Sequence, residues 1–179
     1  MPRTAAPSRA HLPRQLRRSF LVAAALAIVA LSATACLPPA EPAPPALKAT
    51  IVRCPVTGFV SMQGFGPSHS GVDLAAPEGT PVYAVRNGTL WYWSTGDVGG
   101  YSVYLNADDG NTYYYTHLTP YAPVLENTTR AVAAGDMIES VNHTGNANGF
   151  NHLHFEIRLG GPNGTKIDPR PTLDAAGCK

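Results

Sequence analysis

No acidic residue precedes Cys36, and only 14% of the whole chain is charged. The first absence divides the sequence. Before Cys36 stand five arginines (Arg3, Arg9, Arg14, Arg17 and Arg18), and all twelve acidic residues follow it. Beyond Cys36, 8 basic residues face 12 acidic ones, a net of −4. A domain of that balance has no basic stripe for nucleic acid, so no nucleic-acid partner is expected. The chain also lacks an apolar run long enough to span a membrane with ease. "FLVAAALAIVALSATA" (20–35) has sixteen residues, whereas a spanning helix needs about twenty. A basic stretch followed by a short apolar run and small residues reads as an export signal over 1–35. "RRSFL" (17–21) also resembles a twin-arginine signal, with flanks that match less well. Two processing outcomes fit "SATAC": cleavage after Ala35, or lipidation of Cys36 as in a bacterial lipoprotein.

Cysteine is scarce as well: Cys36, Cys54 and Cys178. No cluster of thiolates offers a structural four-cysteine metal site. If Cys36 carries lipid, an even pair remains in an oxidising setting. A Cys54–Cys178 bridge would tie the start of the folded region to its end; two unpaired buried thiols are the alternative. Proline, by contrast, is concentrated. "LPPAEPAPPALKAT" (37–50) holds five prolines in fourteen residues and cannot build a core. It reads, with Cys36, as an extended tether (36–50) that could hold the domain up to about 40 Å from an anchor, at about 3.1 Å per residue.

From 51 to 179 no stretch sustains a helical period. Short alternating runs recur instead at 81–85, 89–94, 101–107, 111–117, 137–141 and 152–158, punctuated by "RNG" (86–88) and "DDG" (108–110), which read as hairpin turns with positive φ. Gly79, Gly88 and Gly145 read as turn residues. The expectation is a single all-β domain of antiparallel strands, with few or no helices outside the signal segment. Tyr113, Tyr114, Tyr115, Trp91 and Trp93 are expected mostly to pack strands, with one or two lining a groove.

Familiar catalytic motifs are missing: there is no HExxH and no GxSxG. Histidines in suggestive places remain. "HSGVD" puts His69 and Asp73 four apart, "HLH" puts His152 and His154 on one face of a strand, and His117 ends a tyrosine-rich strand. Catalytic zinc is usually held by three nitrogen or oxygen ligands with a fourth position open. An HxH in a strand is common and weak alone, and HxxxD strengthens it only partly.

Three segments together, "HSGVDLAAPEGTPVYAVRNGTL" (69–90), "GGYSVYLNADDGNTYYYTHL" (99–118) and "HLHFEI" (152–157), resemble the LytM-domain or lysostaphin-type zinc endopeptidases. The resemblance covers roughly 54–173. It implies an antiparallel β core with a groove over one Zn²⁺ ion, and hydrolysis of peptide bonds in the bacterial cell wall. Carried over residue by residue, it implies His69, Asp73 and His154 as metal ligands and His117 and His152 as catalytic histidines. His152 is then the preferred general base. His117 would stabilise the tetrahedral intermediate or pass the proton to the leaving amine, and the two roles could be exchanged. Glu156 shares the face of His152 and His154; it reads as a solvated or ion-paired strand residue, or as a partner standing behind a ligand. His143 lies off the family pattern and reads as a loop residue. "SVNHTGNANGFN" (140–151) and "FGPSHSG" (65–71) also depart from that pattern and should border the groove.

The leading expectation is therefore an exported, lipid-anchored, monomeric zinc endopeptidase at the outer face of the cytoplasmic membrane or in the wall, with peptidoglycan peptides as substrate. A non-enzymatic LytM-type regulator of another wall hydrolase is the alternative. Sugar phosphotransfer proteins of similar β fold are a third reading, opposed by the export signal.

Overall fold

The computed structural model describes residues 48–179. The expected signal, Cys36 and nearly all of the tether lie outside the described residues. Ten strands follow in chain order: β1 (Val60–Ser61), β2 (Val72–Ala75), β3 (Pro81–Tyr83), β4 (Gly88–Tyr92), β5 (Tyr101–Ala107), β6 (Thr112–Leu118), β7 (Thr129–Val132), β8 (Met137–Ser140), β9 (His152–Leu159) and β10 (Thr165–Ile167). Two short helices, α1 (Gly96–Gly99) and α2 (Arg170–Ala175), complete the framework with one 3₁₀ turn, Pro123–Leu125. The all-β expectation holds, and each of the six expected strands is present within two residues of its expected ends.

The main sheet runs β1-β2-β9-β6-β5-β4-β7, with β10 pairing β9 as a branch, and every pair is antiparallel. β3 and β8 form a separate two-stranded sheet. Strand alternation sorts the side chains of the main sheet. Leu153, Phe155 and Ile157 of β9, Val72 and Leu74 of β2, and Tyr113 and Tyr115 of β6 are fully buried on one face. Val82 of β3 and Ile138 of β8 join the same apolar cluster. The phenol of Tyr115 accepts the Val85 backbone N–H at 3.1 Å, so even this buried ring has its polar atom satisfied. The opposite face of β9 carries His152, His154, Glu156 and Arg158.

One turn expectation fails. Residues 86–88 do not close a hairpin, because β3 pairs with β8 while β4 pairs with β5 and β7. The segment carries the chain from one sheet to the other. Gly88 has no positive φ. It is needed for space instead, since a Cβ there would collide with the Asn106 carbonyl oxygen on β5. "DDG" does turn as expected: Gly110 has φ 79° between β5 and β6.

Cys54 and Cys178 form a disulfide with Cα atoms 5.4 Å apart and a sequence separation of 124. The bond closes the described domain from just after its start to the segment beyond α2. Chain entropy assigns a loop of that length about 5 kcal/mol. Replacing both cysteines with alanine should therefore lower the unfolding free energy by about 5 kcal/mol. Urea denaturation of the two proteins checks this, and an unchanged midpoint would contradict the loop-closure account.

Candidate metal centre

Pairing register brings the first three residues together. On β2 and β9, Asp73 stands opposite His154. His69 lies in the bend before β2, where it forms a two-bond bridge with Gly66. The result is a triangle of donor atoms. His69 Nε2 is 3.0 Å from Asp73 Oδ1 and 3.0 Å from His154 Nδ1, and His154 Nδ1 is 2.9 Å from Asp73 Oδ1. Gly71 makes the close approach possible: a Cβ there would meet the Phe155 carbonyl oxygen and, at 3.0 Å, His154 Nε2.

His117 reaches the same place by an irregularity. Thr116 pairs with His154 and so lies on the groove face; strict alternation would turn His117 into the core. The β5–β6 register, however, passes from Tyr101↔Leu118 to Val103↔Tyr115, leaving Thr116 and His117 opposite Ser102 alone. That is a β-bulge, which re-aims a side chain. His117 also adopts φ 63°, one of three non-glycine residues with positive φ among the described residues. Its ring then stands 4.6 Å from that of His152 and 6.1 Å from that of His154.

Each of the four imidazoles has its outer nitrogen held by an oxygen. His69 Nδ1–H donates to Gly64 O at 2.8 Å, His117 Nδ1–H to Thr144 O at 2.7 Å, and His152 Nδ1–H to Phe150 O at 2.8 Å. His154 Nε2–H donates to Glu156 Oε1 at 3.4 Å. Such contacts fix tautomers. They leave lone pairs at His69 Nε2, His154 Nδ1, His117 Nε2 and His152 Nε2. Two imidazole lone pairs and a carboxylate oxygen then converge within 3.0 Å, an arrangement that calls for a proton or a cation between them. Ligand type, edge length and outer hydrogen bonds all fit a zinc ion with Zn–N and Zn–O bonds of about 2.0–2.2 Å.

Charge is balanced locally. Burial alone would raise the Asp73 carboxyl, but in metal-free protein, where a proton on His154 Nδ1 takes the place of a cation, the hydrogen bond from His154 and the nearby His152 and His69 outweigh it and hold it below its ordinary value. Burial would lower His154, yet its hydrogen bonds to Asp73 and Glu156 raise it on balance. Burial pushes His117 down to about 4, only partly offset by Thr144, so this imidazole is neutral at neutral pH. Glu156 is 2% exposed. Burial would raise it, but His154, Ser70, Lys166 and Arg158 hold it well below the usual carboxylate range. Arg158 Nε donates to it at 2.8 Å, Lys166 Nζ at 2.9 Å, and the Ser70 hydroxyl also donates. It is ion-paired as one reading had it, but it is buried rather than solvated.

All five residues named from the sequence line one groove of about 640 Å³. Segments 65–71 and 140–151 border it, through Ser68, Ser70, Asn146 and Phe150 among others. Exposed apolar side chains rim it: Met62, Val98 and Phe150. No periodicity or motif in the sequence marked those three. His143 is an exposed loop residue outside the groove lining, where Nδ1 meets Asn151 Oδ1 at 2.8 Å. Tyr114 lines the groove, while Tyr113 and Tyr115 are core.

Fold and donor set together define a class: antiparallel β domains with two histidines and an aspartate at the floor of an open groove, the layout of a metal-dependent hydrolase. The chain belongs to peptidase family M23, whose model matches residues 67–169. It is 36% identical over 103 residues to the DD-carboxypeptidase/endopeptidase Mpg of Neisseria meningitidis, covering 56% of this chain and 22% of that protein. It is 34% identical over 118 residues to the peptidoglycan DD-endopeptidase ShyC of Vibrio cholerae, covering 65% of this chain and 24% of that one. The chain thus spans about a quarter of the length of these two relatives. Among solved structures, the catalytic domain of the antimicrobial peptidase lysostaphin from Staphylococcus simulans superposes with a TM-score of 0.56 at 31% identity, over 65% of this chain and 92% of that domain.

The lowered His117 has a stability consequence in metal-free protein. Between its folded value of about 4 and the ordinary 6.5, the unfolded chain binds more protons than the folded one. Stability from this group is present above about pH 6.5 and lost as pH falls through 4, a change of about 3 kcal/mol. His117→Asn tolerates the positive φ and removes the titration. The stability difference between wild type and this variant should shrink by about 3 kcal/mol between pH 6.5 and 4. Urea melts across that range measure it, and a pH-independent difference would rule out burial as the cause.

Proposed function

We propose that the protein is an exported zinc endopeptidase that cleaves peptide bonds in peptidoglycan stem peptides or cross-bridges. The carrying observation is the triangle of His69 Nε2, Asp73 Oδ1 and His154 Nδ1, with two further imidazoles turning free Nε2 atoms into the same groove. Those three atoms would hold a zinc ion, which when bound would supply a Lewis acid for the scissile carbonyl and lower the pKa of the attacking water. His152 Nε2 takes the proton from that water, and its Nδ1–H on Phe150 O steadies the imidazolium as it forms. The proton held by His152 must then reach the leaving amine; His117, a neutral ring with its Nε2 lone pair free, relays it by accepting the proton at Nε2 and releasing it readily, since its conjugate acid is strong. Membership of a peptidase family supports the reaction type, and the name of the Vibrio relative supports the substrate class. The signal at 1–35 and lipid at Cys36 would place the domain outside the cytoplasmic membrane, on a proline-rich tether.

Chelator-sensitive release of peptides from bacterial sacculi, identified by mass spectrometry, tests this reading directly. No cleavage, together with stimulation of a separate hydrolase, would favour the regulator instead. His154→Ala should lose both zinc and cleavage. His117→Ala should keep zinc and lose at least two orders of magnitude in cleavage, the usual contribution of proton transfer by a positioned side chain being about 10²–10⁴. Metal analysis of the purified variants beside the cleavage assay decides; zinc lost from the His117 variant would place that residue among the ligands. Glu156→Gln keeps the hydrogen bond behind His154 but removes its charge, and should weaken zinc binding roughly tenfold in a competition titration.

A further inference from the structure

The groove face of the sheet continues past the metal centre, and its chemistry changes. On β9 it carries the charged pair Glu156 and Arg158. On β6, β5 and β4 it carries a file of aromatic rings set by register: Tyr114 opposite Tyr104, and Tyr104 opposite Trp91. Tyr114 and Tyr104 centroids are 4.5 Å apart, Tyr104 and Trp91 5.6 Å, and Trp93 lies 5.0 Å beyond Trp91. The Arg158 guanidinium closes the inner end, 5.0 Å from the Tyr114 ring and 5.1 Å from that of Tyr104. Trp93 is 38% exposed, and Trp91 and Tyr104 are partly exposed. The core does not need these rings, because Leu90 and Leu105 bury the other face of the same strands completely. Around the file stand Thr89, Asn106 and Thr129, all exposed, and no charged side chain alternates onto this face of β4, β5, β6 or β7.

We propose that this aromatic file is a binding platform for a neutral glycan. The C–H face of a pyranose ring is apolar and lies flat on an aromatic ring, while its hydroxyl and amide groups reach outward to neutral donors and acceptors such as Thr89 and Asn106. Nucleic acid would need cations for its phosphates, and the two cations at the inner end, Arg158 and Lys166, are already paired with Glu156. The platform is continuous with the groove, because Tyr114 belongs to both. The proposal rests on the peptidoglycan reading in that respect: stem peptides are attached to glycan strands, so a peptide held over the metal centre brings sugar rings to this neighbouring surface.

The chain has two tryptophans, and both lie on the platform, so tryptophan emission reports this surface and no other. Metal-free protein is titrated with chitotetraose, a neutral oligomer of N-acetylglucosamine. A saturable change in emission is expected. Tyr104→Ala, which retains both reporters, should weaken binding roughly tenfold, and Tyr104→Phe should restore it. Trp93→Ala, at the most exposed ring, should show the same loss through the emission of Trp91. No saturable change, equal binding by folded Tyr104→Ala and Trp93→Ala, or an emission change that follows protein concentration (a second copy of the chain on this face) would each overturn the proposal. Cleavage separates this from the peptidase reading. Trp93→Ala should lower cleavage of intact sacculi roughly tenfold relative to glycan-free cross-linked stem peptides. If wild-type protein cleaves neither substrate the peptidase reading fails, and the sugar titration still decides the platform.

Discussion

Antiparallel pairing of β9 with β2 on one side and β6 on the other sets His154 opposite both Asp73 and Thr116. Most of the site follows from that register. A slip of one residue on β9 would turn His152, His154 and Glu156 into the core and expose Leu153, Phe155 and Ile157. The cost of exposing three fully buried apolar side chains locks the register, and the locked register positions the donor atoms. Packing on one face of the sheet thus determines coordination geometry on the other.

Behind the donor atoms stands a layer of acceptors drawn from backbone and side chain alike. Gly64, Thr144 and Phe150 contribute carbonyls, and Glu156 contributes a carboxylate. The carboxylate is the expensive choice, because burying an ion costs several kcal/mol unless it is fully partnered. Here Arg158, Lys166 and the Ser70 hydroxyl partner it. The site therefore keeps a negative charge against His154 that solvent does not dilute, and a bound cation would gain from it.

The long strands were legible in the sequence because seven or eight residues give several alternations to read, as in β5, β6 and β9. Among strands of two to four residues, β3 and β8 were also read, whereas β1, β2, β7 and β10 offered too few alternations to mark them. Chain-local turn chemistry misled at 86–88, where asparagine and glycine suit a hairpin but the partner strand is β8, some fifty residues away. The site residues were named through a family resemblance rather than from spacing, since HxH and HxxxD alone describe many ordinary strands. Alternation placed Glu156 on the correct face. Its burial depends on Lys166 of β10 and Ser70 of the bend, and no local pattern connects those segments. The aromatic file was hidden for the same reason: Trp91, Tyr104 and Tyr114 lie on three strands and become neighbours only through register.

His117 shows how the loop that departs most from the family pattern still serves the chemistry. A non-glycine residue at φ 63° persists only where its surroundings over-determine it. Segment 140–151 supplies that bracket. Asn142 N–H donates to His117 O at 3.1 Å, Thr144 O receives His117 Nδ1–H, and the Thr144 hydroxyl donates to Leu118 O at 2.8 Å. Tyr101 N–H, across the bulge, donates to that same hydroxyl at 3.1 Å. The residues that hold the bulge come early in the segment, while Asn146, Asn148 and Phe150, which line the groove, come later. The groove wall can therefore vary in sequence without releasing the imidazole, provided that Asn142 and Thr144 stay in place. Variation in the wall and precision at the imidazole are separated within one loop by a few residues of chain.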